Sequence, residues 1–264
     1  MQDTSLMKWI NSSDLVQWSI SNSKDAEQNI SLLIRFLIRE MVSEIESMRI
    51  PAGDATRYSG WDGILEFSSS GNSQYEFIPN GTSFWEFGTG ADYWKKANKD
   101  YKDRVNEDKG YNLKNATFVF VTTRIWEDDS RKDARTKKSK SEWRKQKLAD
   151  GNFKNIIVLD ARDLEEWIQQ CPNAGLWLAN HLGKFPPTCI ESLIDFWDRW
   201  SFNPVHKLPP KLLCAGRSKN VSNIIKWLKG PCSTYTLKAL TREEAVSFFF
   251  AALNSLSVIH PAFL

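Results

Sequence analysis

The sequence predicts an α/β fold: a core running helix, three strands, helix, strand, strand, helix, with a small βαβα extension at its C-terminal end. Three observations predict it. Residues 25–48 repeat their apolar side chains at helical spacing, residues 63–88 alternate short strand candidates with turn residues, and two apolar runs at 117–123 and 156–161 read as strands covered on both faces.

In 25-DAEQNISLLIRFLIREMVSEIESM-48, Ile30, Leu33, Ile34, Leu37, Ile38, Met41 and Ile45 share one face, which makes an amphipathic helix packed on a core. Glu44 falls inside that arc and Glu40 at its border; a carboxylate there needs a partner or a metal. Strand candidates follow at Gly63–Phe67, Gln74–Ile78 and Phe84–Gly88, separated by SSSGNS and by PNGTS with its Asn80-Gly81 pair, so an antiparallel meander is expected. Residues 91–107 read as a helix burying Tyr93, Trp94, Ala97, Tyr101 and Val105. The run 117-TFVFVTT-123 leads through a basic insertion to 156-IIVLDA-161 and then to the helix 163–170, whose acidic first turn suits the helix dipole.

Three prolines within 203-NPVHKLPPK-211 mark a boundary, giving a domain of residues 1–202 and an extension of 203–264. The extension reads as strand 212–216, helix 221–230, strand 233–239 and helix 242–256, short for a core of its own.

Composition narrows the chemistry. No apolar run reaches the ~18 to 20 residues that cross a bilayer, and MQDTSLMKWINSSDLVQW lacks the pattern of a secretory signal, so no membrane partner and a cytoplasmic location are expected. The four cysteines are too dispersed for a zinc knuckle, and none of the three histidines stands at ligand spacing from another His or Cys. Hydrolytic chemistry in this chain would therefore rest on carboxylates. Neither GxxxxGK[ST] nor GxGxxG occurs, so the chain itself gives no support to an NTPase or a dinucleotide enzyme. Net charge is +3, but 131-RKDARTKKSKSEWRKQK-147 alone carries +7 and leaves the remainder at −4. Such an arm suits phosphate-backbone binding, a solvated loop being the plain alternative; Arg131, Lys132, Lys137, Lys138, Lys140 and Arg144 are its candidate contacts. Trp126 and Trp143 bracket the arm and are candidates for DNA contact, whereas Trp167, Trp177, Trp197 and Trp200 read as core.

Two acids stand directly after tryptophans, in 60-GWDG-63 and 84-FWEFG-88. Phe84, Glu86 and Gly88 share one face of an extended strand, and Asp62 stands where the first strand begins. The two carboxylates converge if the first and third strands lie side by side. Paired carboxylates with waters and a phosphate oxygen suit Mg²⁺ or Mn²⁺, which lowers the pKa of a bound water, and a nearby cation then steadies the charge on the phosphoryl oxygens. A turn aspartate and an edge-strand glutamate are the plain alternatives.

This element order, with Trp61-Asp62-Gly63 as the first acid and Trp85-Glu86-Phe87-Gly88 as the E-x-K strand, resembles the PD-(D/E)XK nuclease superfamily over residues 25–170, the restriction-endonuclease-like fold of many restriction and Mrr-like enzymes. More narrowly, GWDG, PNGTSFWEFGTG, KANKDYKDR, TFVFVTTRIW and EEAVSFFFAAL look like the N-terminal nuclease region of bacterial antiviral STAND (Avs) proteins. The resemblance implies a Mg²⁺-dependent DNA endonuclease effector acting on double-stranded DNA with little sequence specificity, self-associating through a longer parent chain with NTPase and sensor regions. It implies Asp62 and Glu86 as metal-binding residues, and Glu44, from its place in the helical apolar arc, is a further candidate to hold the metal or its waters. This chain departs from the pattern at Gly88, where the superfamily has lysine. The cation is then expected from the next helix, on which Lys96 and Arg104 flank Asp100; Lys96 is the first choice for catalysis, and Arg104 is expected to meet nucleic acid. A non-catalytic DNA-docking or oligomerisation domain is the alternative.

Overall fold

We describe a computed structural model over residues 9–42, 44–51, 60–69, 75–128, 139–184, 193–202, 208–231 and 233–255. The chain is mixed α/β and divides into two units, residues 1–182 and 183–264. The first unit runs α1 (Ser12–Ser21), α2 (Ser23–Met41), β1 (Ser47–Arg49), β2 (Gly63–Phe67), β3 (Gly81–Phe87), α3 (Tyr93–Asn106), β4 (Thr117–Val121), α4 (Lys140–Ala149), β5 (Asn155–Leu159), α5 (Ala161–Gln170) and α6 (Pro172–His181). Its five strands form one sheet in sequence order, with β1, β2 and β3 antiparallel and β3, β4 and β5 parallel.

Alternation along the strands feeds two cores. Phe84, Phe118, Phe120, Ile156 and Val158 pack with Tyr93, Ala97 and Tyr101 of α3 and Trp143 of α4. Trp85 points the other way and meets Trp167 of α5, with ring centroids 6.4 Å apart. The continuous apolar runs are explained by this arrangement: all of β4 is buried.

Several expectations need correction. The meander's middle strand is absent, because residues 75–78 form no strand; Gln74 lies outside the described residues. Phe77 and Ile78 are buried, but Phe77 is held by stacking on Trp167 at 5.4 Å rather than by a ladder. The third antiparallel strand is instead β1, upstream, and β2 pairs directly with β3. α2 stops at Met41 because Val42 is extended. Glu44 therefore lies beyond the helix and is exposed, and so is not a buried acid seeking a metal. The border acid, Glu40, is the buried one, accepting the Asn173 and Ala174 N–H groups at 2.9 Å each and capping α6, whose own N-cap Cys171 makes no side-chain capping bond.

The second unit contains α7 (Leu193–Trp200), α8 (Pro210–Cys214), α9 (Ser218–Lys229) and α10 (Arg242–Asn254). No strand occurs among its described residues, so the βαβα reading is replaced by a helical one. Residues 212–214 lie in α8, and 233–239 form no regular element, their Tyr235 and Leu237 packed beside the small core of Ile224, Phe248 and Ala252. The division falls after Leu182 rather than at 202/203, since Trp197 of α7 stacks on Phe250 of α10 at 4.9 Å.

Candidate functional site

β2 and β3 pair with Gly63 opposite Trp85, and one more residue of that register sets Asp62 opposite Glu86. The backbone ladder ends there and the Asp62 side chain continues it, Oδ2 accepting the Phe87 N–H at 3.0 Å. The turn residue thus holds the strand that carries the second acid.

Glu86 faces α3 and is 1% exposed. The Arg104 Nε donates to its Oε1 at 2.5 Å. The Arg104 Nη2 donates to the Gly60 carbonyl, and the guanidinium lies 5.3 Å from the centre of the Trp61 ring. Gly60 has φ +138°, a backbone that side chains with a Cβ rarely adopt, and this aims its carbonyl at the arginine. Burial, followed by the charge of Asp62, pushes the Glu86 carboxyl up to about 9, against the opposing pull of Arg104.

Lys96 bonds Asp100 at 2.7 Å. Burial pulls its pKa down, but Asp100, Asp62 and Glu86 together raise it, so it stays a cation beside the acid pair. Gly88 has a steric reason. A Cβ there would stand 2.5 Å from the Phe120 ring and 3.5 Å from Cδ of Lys96, so the lysine on α3 runs beside the place where a side chain on the strand would begin.

Asp62 and Lys96 open into one cavity of about 310 Å³, lined also by Phe87, Thr89 and Gly90 and by Ser23, Glu27 and Ile30 of α2. Glu27 is the acid that sequence reasoning missed, at the opposite end of α2 from Glu44; its signal was its place three residues before Ile30, on the edge of the apolar stripe. Glu86 does not line this cavity, being turned to Arg104.

Among the described residues no group of three or more His, Cys, Asp and Glu is placed to hold a metal ion. A Mg²⁺ ion needs only one or two protein carboxylates together with water and phosphate oxygens. The oxygen-only pair Asp62 and Glu86 fits that chemistry in kind, with Arg104 already lying where a cation would bind Glu86.

The other candidate contacts divide. Arg131, Lys132, Lys137 and Lys138 lie outside the described residues. Lys140 turns inward to Asp163 at 2.9 Å and Asp160 at 3.5 Å, and Arg104 is engaged with Glu86, so neither is free to meet phosphate. Arg144 is exposed while its Nε donates to the Ile156 carbonyl at 3.1 Å. Trp126 and Trp143 are 1% and 2% exposed and lie 5.5 Å apart in the core, which removes them as stacking platforms.

The geometry defines a mixed α/β unit with a carboxylate pair and a lysine at the end of its central strands. No family model, no curated protein and no solved structure matches the chain.

Proposed function

We propose that the first unit is a restriction-endonuclease-like, metal-dependent phosphodiesterase that cuts double-stranded DNA with little sequence preference. One observation carries the reading: Asp62, one residue beyond the Gly63–Trp85 pair, accepts the Phe87 N–H and shares a cavity with Lys96, whose stem runs beside Gly88. Asp62 and Glu86 would hold Mg²⁺ or Mn²⁺, which lowers the pKa of a bound water and polarises the phosphate. Hydrolysis would join a water oxygen to phosphorus and break the P–O bond to the leaving sugar oxygen, which departs with a proton, and Lys96 would steady the charge gathering on the phosphoryl oxygens. Glu27, contributed by α2, adds a second carboxylate to the cavity beside Asp62. The setting in a larger antiphage sensor rests on the resemblance alone.

Supercoiled plasmid with Mg²⁺ tests the reading. Wild-type protein nicks it, Asp62→Ala does not, and Lys96→Ala is slowed about 10²- to 10³-fold, the usual loss for one preorganised charge-stabilising donor. Equal nicking by wild type and Asp62→Ala would remove the acid from the mechanism. The second reading, a non-catalytic DNA-docking or oligomerisation domain, is favoured by the grip of Arg104 on Glu86. It calls for metal-independent binding and no cleavage in any divalent ion, with forced dimerisation as the control.

A further inference from the structure

Between Asp198 and Glu243 the sequence contains no acid and nine Lys or Arg, although the whole chain is nearly balanced at 32 acids to 35 basic residues. In the second unit this stretch builds α8, α9 and the irregular segment 233–239. α9 turns Ile224, with Val221 and Leu228, onto Phe248 and Ala252 of α10. Its other face is therefore outward, and Lys219, Ser222, Asn223, Lys226 and Lys229 on it are all exposed. Lys219 and Lys226, seven residues apart, share a stripe and are separated by roughly 10 Å along the axis, with Lys229 one turn further on.

The fold does not account for this charge. On α3 three of the four lysines are matched by acids, in the pairs Lys95–Asp92, Lys96–Asp100 and Lys99–Asp103. On α9 neither Lys219, Lys226 nor Lys229 has an ion-pair partner among the described residues, and the nearby Arg217 alone is matched, to Glu244 at 3.3 Å. The helix dipole favours Lys226 and Lys229 in the last turn, but it opposes Lys219 in a first turn that holds no acid. Unmatched like charges on one helix face repel one another, and a polyanion relieves that repulsion.

We propose that the outward face of α9 binds the phosphodiester backbone of a nucleic-acid duplex. Lysines supply point charges for successive phosphates, and Ser222 and Asn223 between them supply hydrogen-bond donors for phosphate oxygens. A membrane surface fits less well, because a helix lying in a bilayer gives its apolar face to lipid, and that face of α9 is occupied by α10. A single strand fits less well too, since Trp227 and Tyr235 pack against one another, tilted at 35° with centroids 5.4 Å apart, rather than offering a platform to unstacked bases. This surface is independent of the carboxylate site, and its test involves no cleavage.

Binding of the whole chain to a short labelled duplex is measured by fluorescence anisotropy in EDTA over a KCl series, beside the triple variant Lys219→Gln, Lys226→Gln, Lys229→Gln. The variant is expected to keep its circular dichroism spectrum and bind more weakly. The slope of log affinity against log salt falls by about 2 to 3, because each lost phosphate contact removes about 0.9. An unchanged slope and affinity overturns the proposal. So does tighter binding of a single strand of equal length, or binding to phosphatidylserine–phosphatidylcholine vesicles in place of the duplex.

Discussion

Glu86 shows how one side chain takes its properties from its surroundings. Its pKa rises from 4.5 to about 9, chiefly through burial and then through Asp62. The folded chain therefore keeps a proton on Glu86 that the unfolded chain gives up above about 4.5. The stability that this proton contributes is complete below about 4.5 and is lost as pH rises towards about 9. Glu86→Gln has no such proton to lose. Thermal melts at pH values spanning this window should show wild type losing ground steadily to Glu86→Gln as pH rises, and a constant difference would refute the assignment. At this scale Asp62 and Glu86 were legible, since each follows a tryptophan at a strand end. Arg104 is read from the sequence as a helix cation for nucleic acid rather than as the partner of Glu86, because its bonds to Glu86 and Gly60 span 18 and 44 residues of chain.

Among the elements, α2 and the β2–β3 pair decide where the acids go. Periodicity alone carried the helix to residue 48, yet it stops at Met41, which frees Glu44 into solvent and leaves Glu40 to cap α6. Nothing local marks that stop. Glu40→Ala strips the cap and should destabilise the protein by about 1 to 2 kcal/mol. Glu44→Ala, at an exposed site, should stay within about 0.5 kcal/mol. Urea unfolding of the two variants checks the contrast; equal losses would refute the capping role. The strand at 74–78 was misread because buried Phe77 and Ile78 look the same whether a ladder or an aromatic stack holds them.

Across the whole molecule, both faces of the sheet are covered from within the first unit: α3 and α4 cover one, and α5 meets Trp85 on the other. A fragment of residues 9–182 should therefore melt in a single cooperative transition, as single domains commonly do. Calorimetry on the fragment tests this, and a broad, non-cooperative melt would show that the sheet depends on the second unit. No helix among the described residues is long and apolar enough to cross a membrane.

The sequence by itself determined what depends on local repetition: the amphipathic face of α2, the fully buried run of β4, the span of α3, and the strand carrying Glu86. Side-chain period and apolar content are local quantities, and both survive without knowledge of neighbours. Only the tertiary structure decided that β1 rather than 74–78 completes the antiparallel part of the sheet, that Glu27 rather than Glu44 reaches the cavity, and that Arg104 closes on Glu86. Each of these is a choice among partners far apart in the chain, settled by packing and by the cost of leaving a buried charge alone.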